Sequence, residues 1–234
     1  AMGVGTAGYR TVSNPRNLYH NVVVAIDAAR DINNGQPSAL GSWIGALDLE
    51  SGNRVYHMGC GVGYYTAVIA EVVGVGGRVV AIDAEPDLAD RARENLRDYS
   101  QVRVEAADGV DFDPGACDAM LINAGVTHPR ELWLDRLRKG GRLVLPLTIT
   151  ATPKLGQGIM AKIVRRGERF SAAVASIVGI YSAPSLRDAG LEPQLRKALT
   201  TGALLKMKSL RREAHDAEES CLYHTPGMCL SAAE

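Results

Sequence analysis

The stretch from Arg54 to Asp83 constrains this chain more than any other. It reads as a strand over 54–58, a loop Gly59-Cys60-Gly61-Val62-Gly63, a helix over 64–73, and a second strand over 78–82 ending beside Asp83. Two parallel strands need a crossover between them, and that crossover is right-handed. The second strand is a continuous apolar run, as expected where both of its faces are buried. The same alternation continues with a helix over 86–96, strands over 102–106, 119–123 and 142–146, and a helix around Leu132, Trp133 and Leu137. The expected class is therefore α/β, a Rossmann-like doubly wound and mostly parallel sheet.

The flanks read differently. Residues 159–164 and 170–181 have the pattern of antiparallel strands joined at Arg166-Gly167-Glu168, so antiparallel C-terminal strands are expected to extend the sheet. A helix over 192–199, a strand over 204–210 and a hairpin around Thr225-Pro226-Gly227 follow. Ahead of the alternation, Leu18, Val22 and Ile26 recur every four residues and predict a helix over 15–30. A polar turn then leads to Ser38, which opens a short helix carrying Leu40, Trp43, Ile44 and Leu47. The expected division is 1–50 for N-terminal helices and an acceptor-side loop, 51–150 for the nucleotide-binding core, and 151–234 for an extension packed on it, all in one domain.

Glycines between a strand and a helix let a ligand approach the backbone at a helix N-terminus. Asp83 lies about 20 residues beyond the last of them, where a β-α-β unit returns to the same sheet edge. Its carboxylate can accept two hydrogen bonds from a ribose diol. A dinucleotide fingerprint, G-x-G-x-x-G, would need glycine at position 64, which is Tyr64. The spacing is instead G-x-G-x-G, the form expected for S-adenosylmethionine. The cofactor set read from the loop and strand ends is Gly59, Cys60, Gly61, Gly63, Tyr64, Asp83, Ala84, Asp108, Gly109 and Asn123. Asp108-Gly109 is either an ordinary turn or an adenine contact. Asn123, after the fourth strand, faces the crevice where an acceptor would be met.

Composition narrows the partners. Lys plus Arg number 26 and Asp plus Glu 26, so no global field points to nucleic acid. No apolar run reaches the roughly 20 residues of a membrane span, and the expectation is a soluble, cytoplasmic protein with no membrane partner. Cys60, Cys117, Cys221 and Cys229 include no C-x₂-C pair, and the five histidines form no H-E-x-x-H motif, so no metal site is expected.

His57-Met-Gly-Cys-Gly-Val-Gly-Tyr-Tyr-Thr-Ala67, Ala107-Asp108-Gly109, and Leu137-Arg-Lys-Gly-Gly-Arg-Leu-Val-Leu-Pro146 together resemble the cofactor-binding segments of the protein-L-isoaspartate O-methyltransferases. Asn34-Gly35-Gln36 with Ser38 is similar to that family's loop over the methyl donor, although Pro37-Ser38-Ala39-Leu40-Gly41 departs from its Thr-Ile-Ser-x-Pro. The resemblance implies S-adenosylmethionine as donor, S-adenosylhomocysteine as product, and a carboxylate on a peptide, protein or small molecule as acceptor. Such an acceptor is ionised at neutral pH and needs alignment more than a general base. Ser38 and Gln36 are the candidate catalytic residues, orienting the acceptor or covering the donor; Ser38 as a helix cap is the alternative. His128 is either a surface histidine or a group acting on a hydroxyl acceptor. A non-catalytic cofactor-binding accessory protein and an NAD-dependent oxidoreductase are the competing functions.

Overall fold

The residues ahead of the glycine loop do not form the helix expected over 15–30. The computed structural model describes Tyr9 and residues 11–234, and shows only a 3₁₀ turn at Pro15–Leu18 before β1 (Ala25–Asp27). β1 pairs antiparallel with β2 (Ile32–Asn33). Two causes are local. Val22, Val23 and Val24 are β-branched and lose rotamer freedom in a helix. The Val24 N–H donates to the Asn34 side chain at 2.7 Å, where a helix would direct it to the carbonyl four residues earlier. α1 (Pro37–Gly45) begins on Pro37, whose missing N–H costs nothing there, with Gln36 as its N-cap residue. Ser38 therefore lies inside the first turn rather than opening the helix. Its N–H donates to Asn21 Oδ1 at 2.9 Å.

The alternation then unfolds as the sequence predicts: β3 (Arg54–Met58), α2 (Tyr64–Val73), β4 (Arg78–Asp83), α3 (Pro86–Asn95), β5 (Val102–Ala106), β6 (Cys117–Ile122) and α4 (Glu131–Arg136). β7 (Leu137–Thr150) runs well past the segment expected, because its whole later half pairs with β8 (Leu155–Arg166). β9 (Arg169–Tyr181), α5 (Glu192–Thr200), β10 (Ser209–Arg211), β11 (Cys221–Thr225) and β12 (Met228–Ser231) complete the chain. The strand expected over 204–210 is shortened. Gly202, left-handed at φ 70°, instead starts a 3₁₀ turn at Ala203–Lys206 that drops Leu204 into the core.

One ten-stranded sheet has the order β11-β12-β10-β9-β8-β7-β6-β3-β4-β5. β5, β4, β3, β6 and β7 are parallel; pairing from β7 through β8, β9, β10, β12 and β11 is antiparallel. After β3 the chain adds β4 and β5 on one side, then returns to place β6 on the other. The strand order thus reverses between β3 and β6, which is where open α/β sheets bind ligands. A single apolar cluster runs from Tyr56, Met120 and Ile122 to Leu195, Tyr223 and Leu230, so the C-terminal strands share the core of the parallel half. Each such fully buried side chain contributes roughly 1.5–3 kcal/mol relative to exposure.

Candidate functional site

A cavity of about 820 Å³ opens at the carboxyl ends of β3, β4 and β6. Its floor is the glycine loop. Gly59 is left-handed at φ 74°, and a Cβ there would sit 3.1 Å from the Asn123 carbonyl, so only glycine lets β3 and β6 meet this closely. Asn123 Nδ2 donates to the Gly59 carbonyl at 3.3 Å and ties the two strand ends together. Gly63 acts differently from the rest of the motif. It is left-handed at φ 89°, precedes α2 as its N-cap residue, and faces Leu96 beyond α3, where an added Cβ would come within 2.7 Å of the leucine. It sets helix packing and does not line the cavity.

Asp83 is the polar centre of the site. It is buried, with Oδ2 accepting from the Gly61 N–H at 2.7 Å and Oδ1 from the Glu85 N–H at 3.1 Å. Burial holds its carboxyl above the usual carboxylate range, against the opposing pull of those two N–H groups. A desolvated carboxylate of this kind gains from further donors, such as a ribose diol. Cys60 lies beside it, and burial followed by the Asp83 charge pushes its thiol up to about 12, so Cys60 contributes shape and not a nucleophile. Asp108 caps its own turn by accepting from the Val110 N–H at 2.9 Å, and also accepts from Ser185 Oγ at 3.0 Å.

Gln36, Gly59, Cys60, Gly61, Tyr64, Asp83, Ala84, Asp108, Gly109 and Asn123 are brought together around this cavity; Gly63 and Ser38 are not. Ser38 is exposed on α1 outside the lining, which removes the structural basis for both of its expected roles, acceptor contact and helix cap. His128, half-buried and within 3.0 Å of Thr127 Oγ1, also lies outside it. Among the described residues, no histidine lines the cavity.

The roof was not legible in the sequence. Arg30 pairs with Asp27 (2.7 Å), Glu85 (2.8 Å) and Asp87 (2.6 Å), binding the N-terminal segment across the cavity mouth to the start of α3. From the other wall, Lys154 Nζ donates to the Arg30 carbonyl at 3.3 Å and the Tyr181 hydroxyl donates to the Asp31 carbonyl. Trp43, Ile180, Tyr181, Ser182 and Leu186 supply an apolar flank, with the Trp43 indole N–H held by Ser176 Oγ at 3.0 Å. The Ser182 hydroxyl is buried and has no hydrogen-bond partner among the described residues. These groups come from segments far apart in the sequence, and no local spacing announces them. A second hollow of about 560 Å³, with Arg54, Arg78, Arg103 and Cys117, sits at the opposite ends of the same strands, away from the edge where such sheets bind ligands.

The cysteines and histidines show no metal-ligand spacing of the kind sought, yet the fold gathers His215, Cys221, His224 and Cys229 with ligand-type atoms all within 4.8 Å of one another. The spacing Cys221-x₂-His224 was the available signal.

Comparison with known proteins agrees with this fold. The sequence profile of the family described as protein-L-isoaspartate(D-aspartate) O-methyltransferase (PCMT) matches residues 4–173. A protein-L-isoaspartate O-methyltransferase of Ignicoccus hospitalis is 32% identical over 156 residues, 65% of this chain and 71% of its own. One from Methanopyrus kandleri is 35% identical over 131 residues, 52% of this chain and 58% of its own. Among solved structures, a protein-L-isoaspartate O-methyltransferase superposes with a TM-score of 0.67 at 22% identity, covering 80% of this chain and 60% of the other. The complex of a Plasmodium falciparum protein, described as a member of the same class, with S-adenosyl-L-homocysteine gives 0.57 at 19%, covering 71% and 82%. These two show the shared fold. Among the described residues, no helix is long and apolar enough to cross a membrane. On the profile match and the Ignicoccus hospitalis relative, the chain belongs to the protein-L-isoaspartate(D-aspartate) O-methyltransferase family, whose members are S-adenosylmethionine-dependent O-methyltransferases.

Proposed function

We propose that this chain methylates a carboxylate on a peptide or protein, using S-adenosylmethionine held at the switch between β3 and β6. The observation that carries this is the cavity itself. It joins the glycine loop and Asp83 to a second, apolar flank, and no histidine stands there to deprotonate an acceptor. When bound, the donor supplies an activated methyl group on a sulfonium. The protein's own residues then have three tasks. Asp83 accepts hydrogen bonds from the ribose, Gly59 and Gly61 admit the donor against the backbone, and Asp108 with Gly109 borders the adenine. Gln36, exposed at the N-cap of α1 and lining the cavity, orients the acceptor. The roof tied down by Arg30 excludes water from the transfer. A carboxylate acceptor arrives ionised, so no proton need be removed at the moment of attack. Relatives named for isoaspartate support a side-chain or isomerised carboxylate as the acceptor class.

The test is transfer of labelled methyl from S-adenosylmethionine to a panel of isoaspartyl peptides, aspartyl peptides and small carboxylates. The expected product is a methyl ester, released as methanol by mild base. Label that survives base, as an N-methyl or S-methyl product would, refutes the carboxylate reading. Binding of S-adenosylhomocysteine without transfer to any acceptor would favour an accessory role instead.

A further inference from the structure

His215, Cys221, His224 and Cys229 lie at the far edge of the sheet from the cofactor cavity, on β11, β12 and the loop that precedes them. The hairpin explains three of them. His224 and Cys229 are paired directly across β11 and β12 and so share one face. Cys221 is three residues from His224, a separation that in a regular strand puts side chains on opposite faces. A bulge between Cys221 and Tyr223 inserts one extra residue and returns Cys221 to the face of His224. Tyr223 meanwhile points into the core, its hydroxyl donating to the Thr127 carbonyl at 3.0 Å.

His215 arrives from the loop after β10. Its Nδ1 lies 2.8 Å from the Glu213 carbonyl, which can only accept, so the proton sits on Nδ1 and the lone pair on Nε2. That Nε2 is 3.5 Å from Cys221 Sγ. Arg211 Nη2 reaches both sulfurs, at 3.4 Å from Cys221 and 3.8 Å from Cys229, and Nη1 is held by Glu218 at 2.7 Å. His224 Nδ1 is buried with no hydrogen-bond partner among the described residues.

We propose that these four side chains are a structural zinc site. With Zn–S near 2.3 Å and Zn–N near 2.0–2.1 Å, a tetrahedral ion places its sulfur and nitrogen ligands about 3.5 Å apart and its two sulfurs about 3.8 Å apart. The His215–Cys221 separation has that value, and the whole set lies within 4.8 Å. Two thiolates balance the charge of a divalent ion; each cysteine releases its proton to solvent on binding. The Glu213 carbonyl fixes the His215 tautomer; the Arg211 guanidinium, whose Nη2 lies 3.1 Å from His215 Nε2, yields that lone pair to the ion and donates to the sulfurs. Four protein ligands leave no open position, so the ion staples and does not catalyse. What it staples is the loop over 212–220 to a hairpin that carries Tyr223 and Leu230 into the shared core. The site also lies beyond residues 4–173, the span matched by the family profile.

The test uses the full chain purified after expression with added zinc. Elemental analysis is expected to give about one zinc per chain that survives dialysis. Cobalt substituted for it should show tetrahedral d–d bands and thiolate charge-transfer absorption. Cys229→Ser, and separately His215→Ala on the surface loop, should lower zinc content at least tenfold; unchanged calorimetric binding of S-adenosylhomocysteine certifies that each variant is folded. A wild-type chain that carries no zinc, whether its Cys221 and Cys229 are free thiols or a disulfide by mass, overturns the proposal. So does zinc content that both substitutions leave unchanged.

Discussion

The two ends of the sheet are built on different logic. At β3, β4 and β6 the functional groups come from separate strand ends between Gly59 and Asn123, and the glycine backbone forms the floor. Gly59 and Gly61, Asp83 and Asn123 each follow or end a strand, and the strand order converges them on one point. At β10, β11 and β12 the clustered groups are side chains whose meeting depends on a bulge and on a loop closing back over a hairpin. A site made from strand ends inherits its geometry from the fold class. A site made by a bulge inherits it from one inserted residue.

Acid should separate the two ends most strongly. His57, on β3, is wholly buried, with Nδ1 2.9 Å from Thr66 Oγ1, and burial lowers its imidazole to about 4. An unfolded chain therefore takes up this proton between about pH 6.5 and 4 while the folded chain does not, so stability falls with pH across that window. The expected loss is about 3 kcal/mol at pH 4 relative to pH 7. Glu192, at the start of α5, behaves later. Desolvation would raise it, but Arg187 at 2.9 Å and the Thr150 N–H and hydroxyl outweigh that and hold it at about 2. Its contribution is complete above about pH 4.5 and is lost toward pH 2. Urea titrations from pH 7 to 4 check the first window; a flat profile would mean that His57 is hydrated in the folded state.

Asp83→Ala should be the next largest effect, confined to the cofactor end. Two charge-assisted hydrogen bonds to the ribose are removed, and S-adenosylhomocysteine affinity is expected to fall about ten- to thirtyfold, about 1.4–2 kcal/mol. Calorimetric titration measures it, with zinc content of the same preparation expected to stay at its wild-type value. Equal affinity in the variant would place the ribose elsewhere.

How much of this was legible follows the same division. The alternation from Arg54 to Ile122 could be read because each element carries its own period and its own punctuation, and the strand ends then follow from topology. The N-terminal helix expected over 15–30 failed because Leu18, Val22 and Ile26 satisfy a helical period while Val22-Val23-Val24 favours extended chain. The choice was made by Asn34 and by the distant Glu85 and Asp87, which no window around residue 20 contains. Ser182 and Tyr181 reach the cavity because β9 runs one strand length back from β8, a non-local consequence of pairing register. The four residues of the proposed zinc site escape a local reading for a like reason: the chain has no Cys-x₂-Cys, and Cys221-x₂-His224 gains its partners only through the fold.

Gly63→Ala sharpens the comparison from inside the glycine motif. Gly63 belongs to the cofactor signature yet faces Leu96 and not the cavity. An alanine forced into the left-handed region costs about 1–2 kcal/mol, with some repacking of Leu96 in addition. The expected result is a lower melting temperature by several degrees, with S-adenosylhomocysteine affinity changed less than in Asp83→Ala. The reverse ordering would show that the α2 N-terminus itself contacts the donor.

The smallest effects distinguish the two residues considered for the acceptor, Ser38 and Gln36. Ser38 is the second residue of α1, exposed, with its N–H already satisfied by Asn21 and its side chain outside the cavity lining. Ser38→Ala should therefore change stability by no more than about 0.5 kcal/mol and leave turnover at its wild-type value. Gln36, the N-cap residue of α1, is exposed and lines the cavity, and its side chain makes no cap hydrogen bond to the helix. Gln36→Ala is therefore expected to act in the acceptor complex, as a three- to tenfold rise in KM for a carboxylate acceptor, about 1 kcal/mol, with cofactor affinity unchanged. Steady-state kinetics on both variants with the same peptide acceptor decides between them. Reduced turnover in Ser38→Ala together with unaltered kinetics in Gln36→Ala would mean that the N-terminal segment rearranges on acceptor binding and turns Ser38 into the site.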